Sequence, residues 1–181
     1  MRALVVYESM YGNTRAVASN VADGLRATHE VTLVFVAAAT RELVAGADLL
    51  VVGGPTHMHG LSSAGSRRIA AQAAAKEGSE LSLDPDAGGP GLRDWLKGAG
   101  HGHALAAAFD TRFDGAPLTT GRASRGICRL LDRHGYRVIA APESFLIDRQ
   151  NKLLDGELSR AHRWGAALGI VAADAYAPAD S

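Results

Sequence analysis

The chain has 181 residues, and 19 Lys+Arg balance 19 Asp+Glu to a formal net charge of zero. That length suits one domain with a full core, and the balance excludes whole-molecule attraction to nucleic acid or to an anionic membrane. The single cysteine, Cys128, excludes an internal disulfide and any multi-cysteine metal site. No run resembles a membrane span, and the opening MRALVVYES is too short and too soon polar for a signal peptide, so we expect no membrane insertion and a soluble cytoplasmic protein.

Residues 2–7 (RALVVY) form the first expected strand. From Asn13 to Ala27, Val17, Val21 and Leu25 recur every four residues with Ala18 and Ala22 beside them, the pattern of a helix with one apolar face. His29–Val36 reads as the second strand, and Thr40 is placed to cap a short helix ending at Ala45. Ala47–Gly53 is the third strand, and its unbroken apolar centre fits a position covered on both faces. Ala64–Ala75 and Leu92–Lys97 read as helices, with glycine- and proline-rich loop at 78–91 between them and nothing in its composition that marks a ligand contact. His103–Phe109 is the fourth strand, Arg122–His134 an amphipathic helix and Tyr136–Ala141 the fifth strand. After a loop with Pro142 and Glu143 and a short apolar run, Phe145–Ile147, the last helix spans about Gly156–Ala173 and ends in a frayed tail.

Strands alternating with helices predict an α/β fold, a doubly wound five-stranded parallel sheet in the order 2-1-3-4-5 with HEVTLVFV at its edge. Residues 1–181 are read as a single domain with a loop-rich insertion near 78–91. Ligands bind such sheets outside the carboxyl ends of the strands, which directs attention to the loops Glu8–Thr14, Gly54–Ser63 and Asp110–Thr119.

The first of these offers hydroxyls from Ser9 and Thr14, an amide from Asn13, and a glycine, Gly12, that lets backbone turn or approach. The free N–H groups of the following helix point into it, a ready anion site. It has no lysine and no GxGxxG pattern, so it is neither a Walker loop nor a dinucleotide fingerprint. A neutral cradle suits a phosphate held by hydrogen bonds; the alternative is that Asn13 and Thr14 simply cap the helix.

Set between strand and helix, Ser9-Met10-Tyr11-Gly12-Asn13-Thr14 resembles the phosphate loop of the flavodoxins, which holds the phosphate of flavin mononucleotide (FMN). Gly54-Pro55-Thr56-His57-Met58-His59-Gly60 resembles the loop that lies along the flavin ring. Phe109-Asp110-Thr111-Arg112-Phe113 occupies the place of the loop on the ring's other side. Over roughly residues 2–173 the order of strands and helices agrees. The resemblance implies a flavodoxin-like three-layer sandwich that binds FMN non-covalently through Ser9–Thr14, Pro55–Gly60 and Asp110–Phe113. It further implies either an electron carrier with a redox partner, or an oxidoreductase passing hydride from a nicotinamide donor to a quinone-like acceptor. Neutral charge leans toward the second. The alternative is a flavodoxin-fold interaction module that has lost FMN. A homo-oligomer is compatible with either.

Other residues carry two readings. Arg112 could bring positive charge to a flavin ring or an anionic substrate, or pair with Asp110 or Asp114 at the surface. His57 and His59, like His101 and His103, are two apart, but a zinc site needs more ligands than either pair supplies. Cys128 reads as partly buried packing. Arg122, Arg125, Arg129 and Arg133, with Arg137 just beyond, can line one helix stripe: a patch for an acidic partner or, more simply, a solvated outer face without the interleaved aromatics of a nucleic-acid surface.

Overall fold

A computed structural model describes residues 1–176. In chain order the elements are β1 (Arg2–Tyr7), α1 (Asn13–Leu25), β2 (Glu30–Phe35), α2 (Arg41–Ala45), β3 (Leu49–His57), β4 (Gly60–Leu61), α3 (Ala64–Ala74) and α4 (Leu92–Gly98). They continue with β5 (Leu105–Phe113), α5 (Pro117–Thr120), α6 (Ala123–Arg133), β6 (Arg137–Val138), β7 (Glu143–Ile147) and α7 (Glu157–Tyr176).

The sheet runs β2-β1-β3-β5, and its fifth position is shared by two short strands. β6 pairs with Leu105 and Ala106 at one end of β5, while β7 pairs with Phe109–Phe113 at the other. All these pairings are parallel, so the order is the expected 2-1-3-4-5 with β2 at the edge. The exception is β4, which folds back antiparallel on Thr56 and His57.

Period-two alternation assigns the faces. Ala3, Val5 and Tyr7 join Leu49, Val51, Leu105, Ala107 and Phe109 beneath α1 and α7. Their neighbours Leu4, Val6, Leu50, Val52, Ala106 and Ala108 face α4 and α6. The alanines of β5 are weak strand formers, yet full burial between two helix layers holds them in the sheet. On the first face α1 and α7 meet backbone to backbone: a Cβ on Gly24 would lie 2.1 Å from His162 O, and one on Gly165 would lie 2.2 Å from Val21 O.

Several boundaries differ from the sequence reading. β3 continues past Gly53 to His57 and β5 past Phe109 to Phe113, because Gly54 and Pro55 stay in register with Asp110 and Thr111. Much of what reads as loop is therefore strand, and a tight hairpin at Met58 and His59 replaces the expected long second loop. The fifth strand is broken where Ile139 N–H makes its last bond to Ala106 O, 3 residues before Pro142, which has no N–H to give a ladder. It resumes in the apolar run at Phe145. α7 extends to Tyr176; the remainder of the expected tail, 177–181, lies outside the described residues. No described helix is long and apolar enough to cross a membrane.

Candidate functional site

At the carboxyl end of β1 the chain is locked before it turns. Glu8 N–H donates to Gly53 O at 3.0 Å. Its buried carboxylate accepts from Ser62 Oγ at 2.5 Å and from the first helical amide of α4, Leu92 N, at 2.7 Å. Ser9 Oγ then accepts from Gly12 N at 3.1 Å, and Gly12 sits at φ 89°, a left-handed conformation that glycine takes without strain. Gly12 is the N-cap of α1 and no side chain caps it. The first helical bond is Ala16 N–H to Gly12 O, so the amides of Asn13, Thr14 and Arg15 stand ahead of the helix's own bonding. Asn13 and Thr14 do not cap the helix. Asn13 Nδ2 instead reaches Asn151 O at 2.8 Å, and Thr14 Oγ1 lies 2.7 Å from Thr111 Oγ1.

The two other segments are anchored to α6. Thr56 Oγ1 accepts from Ala123 N at 2.9 Å and Asp110 Oδ2 from Ser124 N at 2.7 Å, which satisfies the first two amides of α6 and sets a carboxylate at its positive end. Met58 (φ 46°) and His59 (φ 73°) form the hairpin tip, and Met58 is 80% exposed. His57 Nδ1 is 3.3 Å from Ser66 Oγ. Burial holds the His57 pKa below its ordinary value, against the pull of the Glu8 charge. Arg112 is buried and makes no ion pair with Asp110 or Asp114. Its Nη1 donates to Phe113 O, Gly115 O and Thr120 Oγ1 at 3.1, 2.8 and 2.9 Å, pinning the turn that leads into α5.

These segments converge on a cleft of about 90 Å³. Met10, Tyr11, Asn13, Thr14, Pro55, Thr56, His57, Thr111, Arg112 and Phe113 line it together with Ile147 and Asn151. Of the other expected residues, Ser9 and Gly12 shape the turn from behind, Asp110 faces α6, and Met58 stands in solvent. His59 and Gly60 line a neighbouring groove. Ile147 and Asn151 have no counterpart in the sequence reading, because a parallel partner strand and a residue at φ 59° some 138 positions from Asn13 leave no local signal.

Segment 78–91 also does more than link. Asp84 N–H donates to Met10 O at 2.8 Å. Its fully buried carboxylate pairs with Arg15 Nε at 3.2 Å, and Oδ2 lies 4.0 Å from where a Cβ on Gly12 would stand. This segment thus buttresses the first loop, although its composition marks no such contact.

The large aromatics serve the core. Trp164 packs edge-on against Phe109 and Phe145, with centroids 6.1 Å apart in both pairs. Trp95 Nε1 donates to Ala39 O at 3.0 Å. Burial pushes the Cys128 thiol up to about 11. Among the described residues, no three His, Cys, Asp or Glu side chains converge as metal ligands.

The family model described as Flavodoxin matches residues 5–89, from within β1 into segment 78–91. A flavodoxin of Aquifex aeolicus (strain VF5) is 46% identical over 59 residues; the match spans 32% of this chain and only 32% of that protein. Among solved structures, a flavodoxin from the domain Archaea superposes with a TM-score of 0.65 at 18% identity, covering 96% of this chain and 99% of that one. Flavodoxin 1 of Bacillus cereus gives 0.62 at 16% identity, covering 92% and 95%. These two likenesses are of fold.

Proposed function

We infer that this chain, which is flavodoxin-like in family and fold, binds FMN non-covalently and serves in flavin-dependent redox chemistry. It acts either as an electron carrier or as an NAD(P)H-dependent reductase of quinone-type acceptors, with residues 1–181 as one unit. One observation carries the reading: at the head of α1 three amides precede the first helical bond, and Asn13 and Thr14 of that turn line the cleft together with Thr111, whose hydroxyl pairs with that of Thr14. Donors of this kind suit a phosphate bound by hydrogen bonds. The cleft volume of about 90 Å³ matches a phosphate-sized group, whereas pockets that enclose whole ligands hold roughly 300–1,000 Å³. A single cradle of this kind favours FMN over FAD.

In this reading Ser9–Thr14 and Thr111 hold the phosphate, and Pro55–Gly60 with Arg112 and Phe113 frame the ring at the cleft mouth. Asp110 acts through α6. Bound flavin supplies one- and two-electron transfer. The chain's own part is to orient it by the anchored Thr56 and Thr111 strands, to shield it from water with Met58 and Phe113, and to favour negative charge near Arg112, whose guanidinium is fixed by three acceptors. The test is titration of the flavin-free protein with FMN, FAD and riboflavin. FMN should bind more tightly than both; equal binding of FMN and riboflavin would remove the phosphate site and with it the reading.

A further inference from the structure

The arginines strung along α6 gather around a defined feature. Arg122, Arg129 and Arg133 meet Arg93 of α4 at a groove of about 300 Å³ whose opposite wall is His59, Gly60 and Leu61 of the β3–β4 hairpin. No carboxylate lines it, and none of these arginines forms an ion pair among the described residues. Three donate to neutral acceptors, Arg129 Nε to Arg125 O at 3.3 Å among them. Arg93 donates to Ser62 O at 3.0 Å and Leu61 O at 2.5 Å, and Arg122 Nε donates to Ser144 Oγ at 3.0 Å. Arg129 and Arg133 stand exposed. In a chain of zero net charge this is a local excess of cations among the groove's lining residues; the acids adjacent in sequence, Asp94 and Asp132, lie outside that lining, and Asp94 pairs with Lys97.

Apolar side chains accompany it. Met58, at the hairpin tip beside His59, is 80% exposed; across the cleft mouth Phe113 is 50% exposed, and Leu118 on the adjoining turn is 96% exposed. An apolar contact flanked by unpaired arginines is the composition of an association surface, where buried contact gives affinity and charge steers encounter. A small phosphate ligand fits less well. Arg122 and Arg133 lie about 16 Å apart along the helix at 1.5 Å per residue, farther than one phosphate can bridge, and the groove lining holds no Phe, Tyr or Trp, only the imidazole of His59.

We propose that the α6–hairpin groove and the exposed tip of Met58 form the docking surface for an acidic redox protein. Carboxylates of that partner meet Arg93, Arg122, Arg129 and Arg133 while its contact patch covers Met58. The kind of partner rests on the redox reading above, but docking itself needs no flavin. The experiment therefore uses the isotope-labelled full chain, both flavin-free and FMN-loaded. It is titrated with an acidic plant-type [2Fe–2S] ferredoxin and, separately, with basic mitochondrial cytochrome c, and amide signals are followed. Ferredoxin should perturb residues 58–61, 93 and 122–133 in both forms, with affinity falling at least about tenfold between roughly 20 and 300 mM salt. Cytochrome c should leave these residues unmoved. Arg129→Glu combined with Arg133→Glu should weaken ferredoxin binding about tenfold and leave FMN affinity unchanged. The proposal is overturned if ferredoxin fails to bind, binds elsewhere, ignores the charge reversal, or is matched by cytochrome c. It is equally overturned if 2′,5′-ADP perturbs the same amides at micromolar concentration, which would mark a nucleotide site. Docking without FMN binding would refute the flavin assignment alone; FMN binding without docking would refute this one alone.

Discussion

Replacing Thr14 by valine keeps the β-branched shape and deletes one hydroxyl. That hydroxyl lies 2.7 Å from Thr111 Oγ1, and the two residues are 2% and 4% exposed, so water cannot freely replace it. The Thr111 hydroxyl left behind should cost about 1–3 kcal/mol of stability in the flavin-free protein. No helix-capping loss adds to this, because the N-cap is Gly12. If Thr14 also donates to the FMN phosphate, the lost bond to a charged group is worth about 1.5–3 kcal/mol, which is roughly tenfold to a hundredfold in affinity. Urea unfolding of the flavin-free protein reads the first quantity and fluorescence titration with FMN reads the second. Thr111→Val should destabilise similarly, and the double variant should cost less than the sum, since no orphaned hydroxyl remains; the coupling should fall in the range of about 0.5–3 kcal/mol found for contacting residues. Reduced stability with unchanged FMN affinity would refute the phosphate role of Thr14. Strict additivity would refute the hydroxyl pair.

Gly165→Ala should lower stability by about 1–3 kcal/mol or more in urea unfolding, because its Cβ would stand 2.2 Å from the backbone oxygen of Val21 and neither helix can yield locally. Stability should also depend on acid. Burial holds His57 and His29 below the ordinary value of 6.5, so the unfolded chain takes up protons first and stability, level above about pH 6.5, falls as pH drops through the folded values. Urea midpoints at several pH values should show that slope, and His57→Gln with His29→Gln should flatten it. With its thiol pushed up to about 11, Cys128 should alkylate slowly with iodoacetamide near neutral pH and progressively faster as the medium becomes strongly alkaline; rapid neutral-pH labelling of the folded protein would contradict its burial.

The sheet was legible because its signals are local. RALVVY, ADLLVVG and the four-residue spacing of Val17, Val21 and Leu25 each report their own burial, and alternation with helices leaves few ways to order the strands. Strand ends were less legible. Gly54 and Pro55 look like loop, yet pairing with Asp110 and Thr111 keeps them in the ladder, and that pairing joins residues more than fifty positions apart. The first site loop was readable for the same local reason, being one turn between one strand and one helix. Which side chains would line the cleft was not. Asp110 was drawn away by the unsatisfied amides of α6, Arg112 by three acceptors on the following turn, and Asn151 and Asp84 entered from distant segments. Residue type names what a side chain can bond, while tertiary competition for partners decides what it does bond.

That competition also leaves two different electrostatic surroundings in the molecule, the cleft and the groove. The only cation in the first turn of α1, Arg15, is engaged by buried Asp84, so an anion at this loop meets amide and hydroxyl hydrogens, with buried Arg112 the one arginine or lysine lining the cleft. Binding there depends on short, directional bonds, which salt screens weakly. On α6 the arginines have no acidic partner among the described residues and stand beside solvent, where interactions between exposed charges fade over about 8–10 Å at ordinary ionic strength. Anion affinity at the cleft should therefore survive salt that abolishes association at the groove. Three carboxylates are meanwhile spent inside the fold and are withheld from either surface: Glu8 at the head of α4, Asp110 at the head of α6 and Asp84 against Arg15.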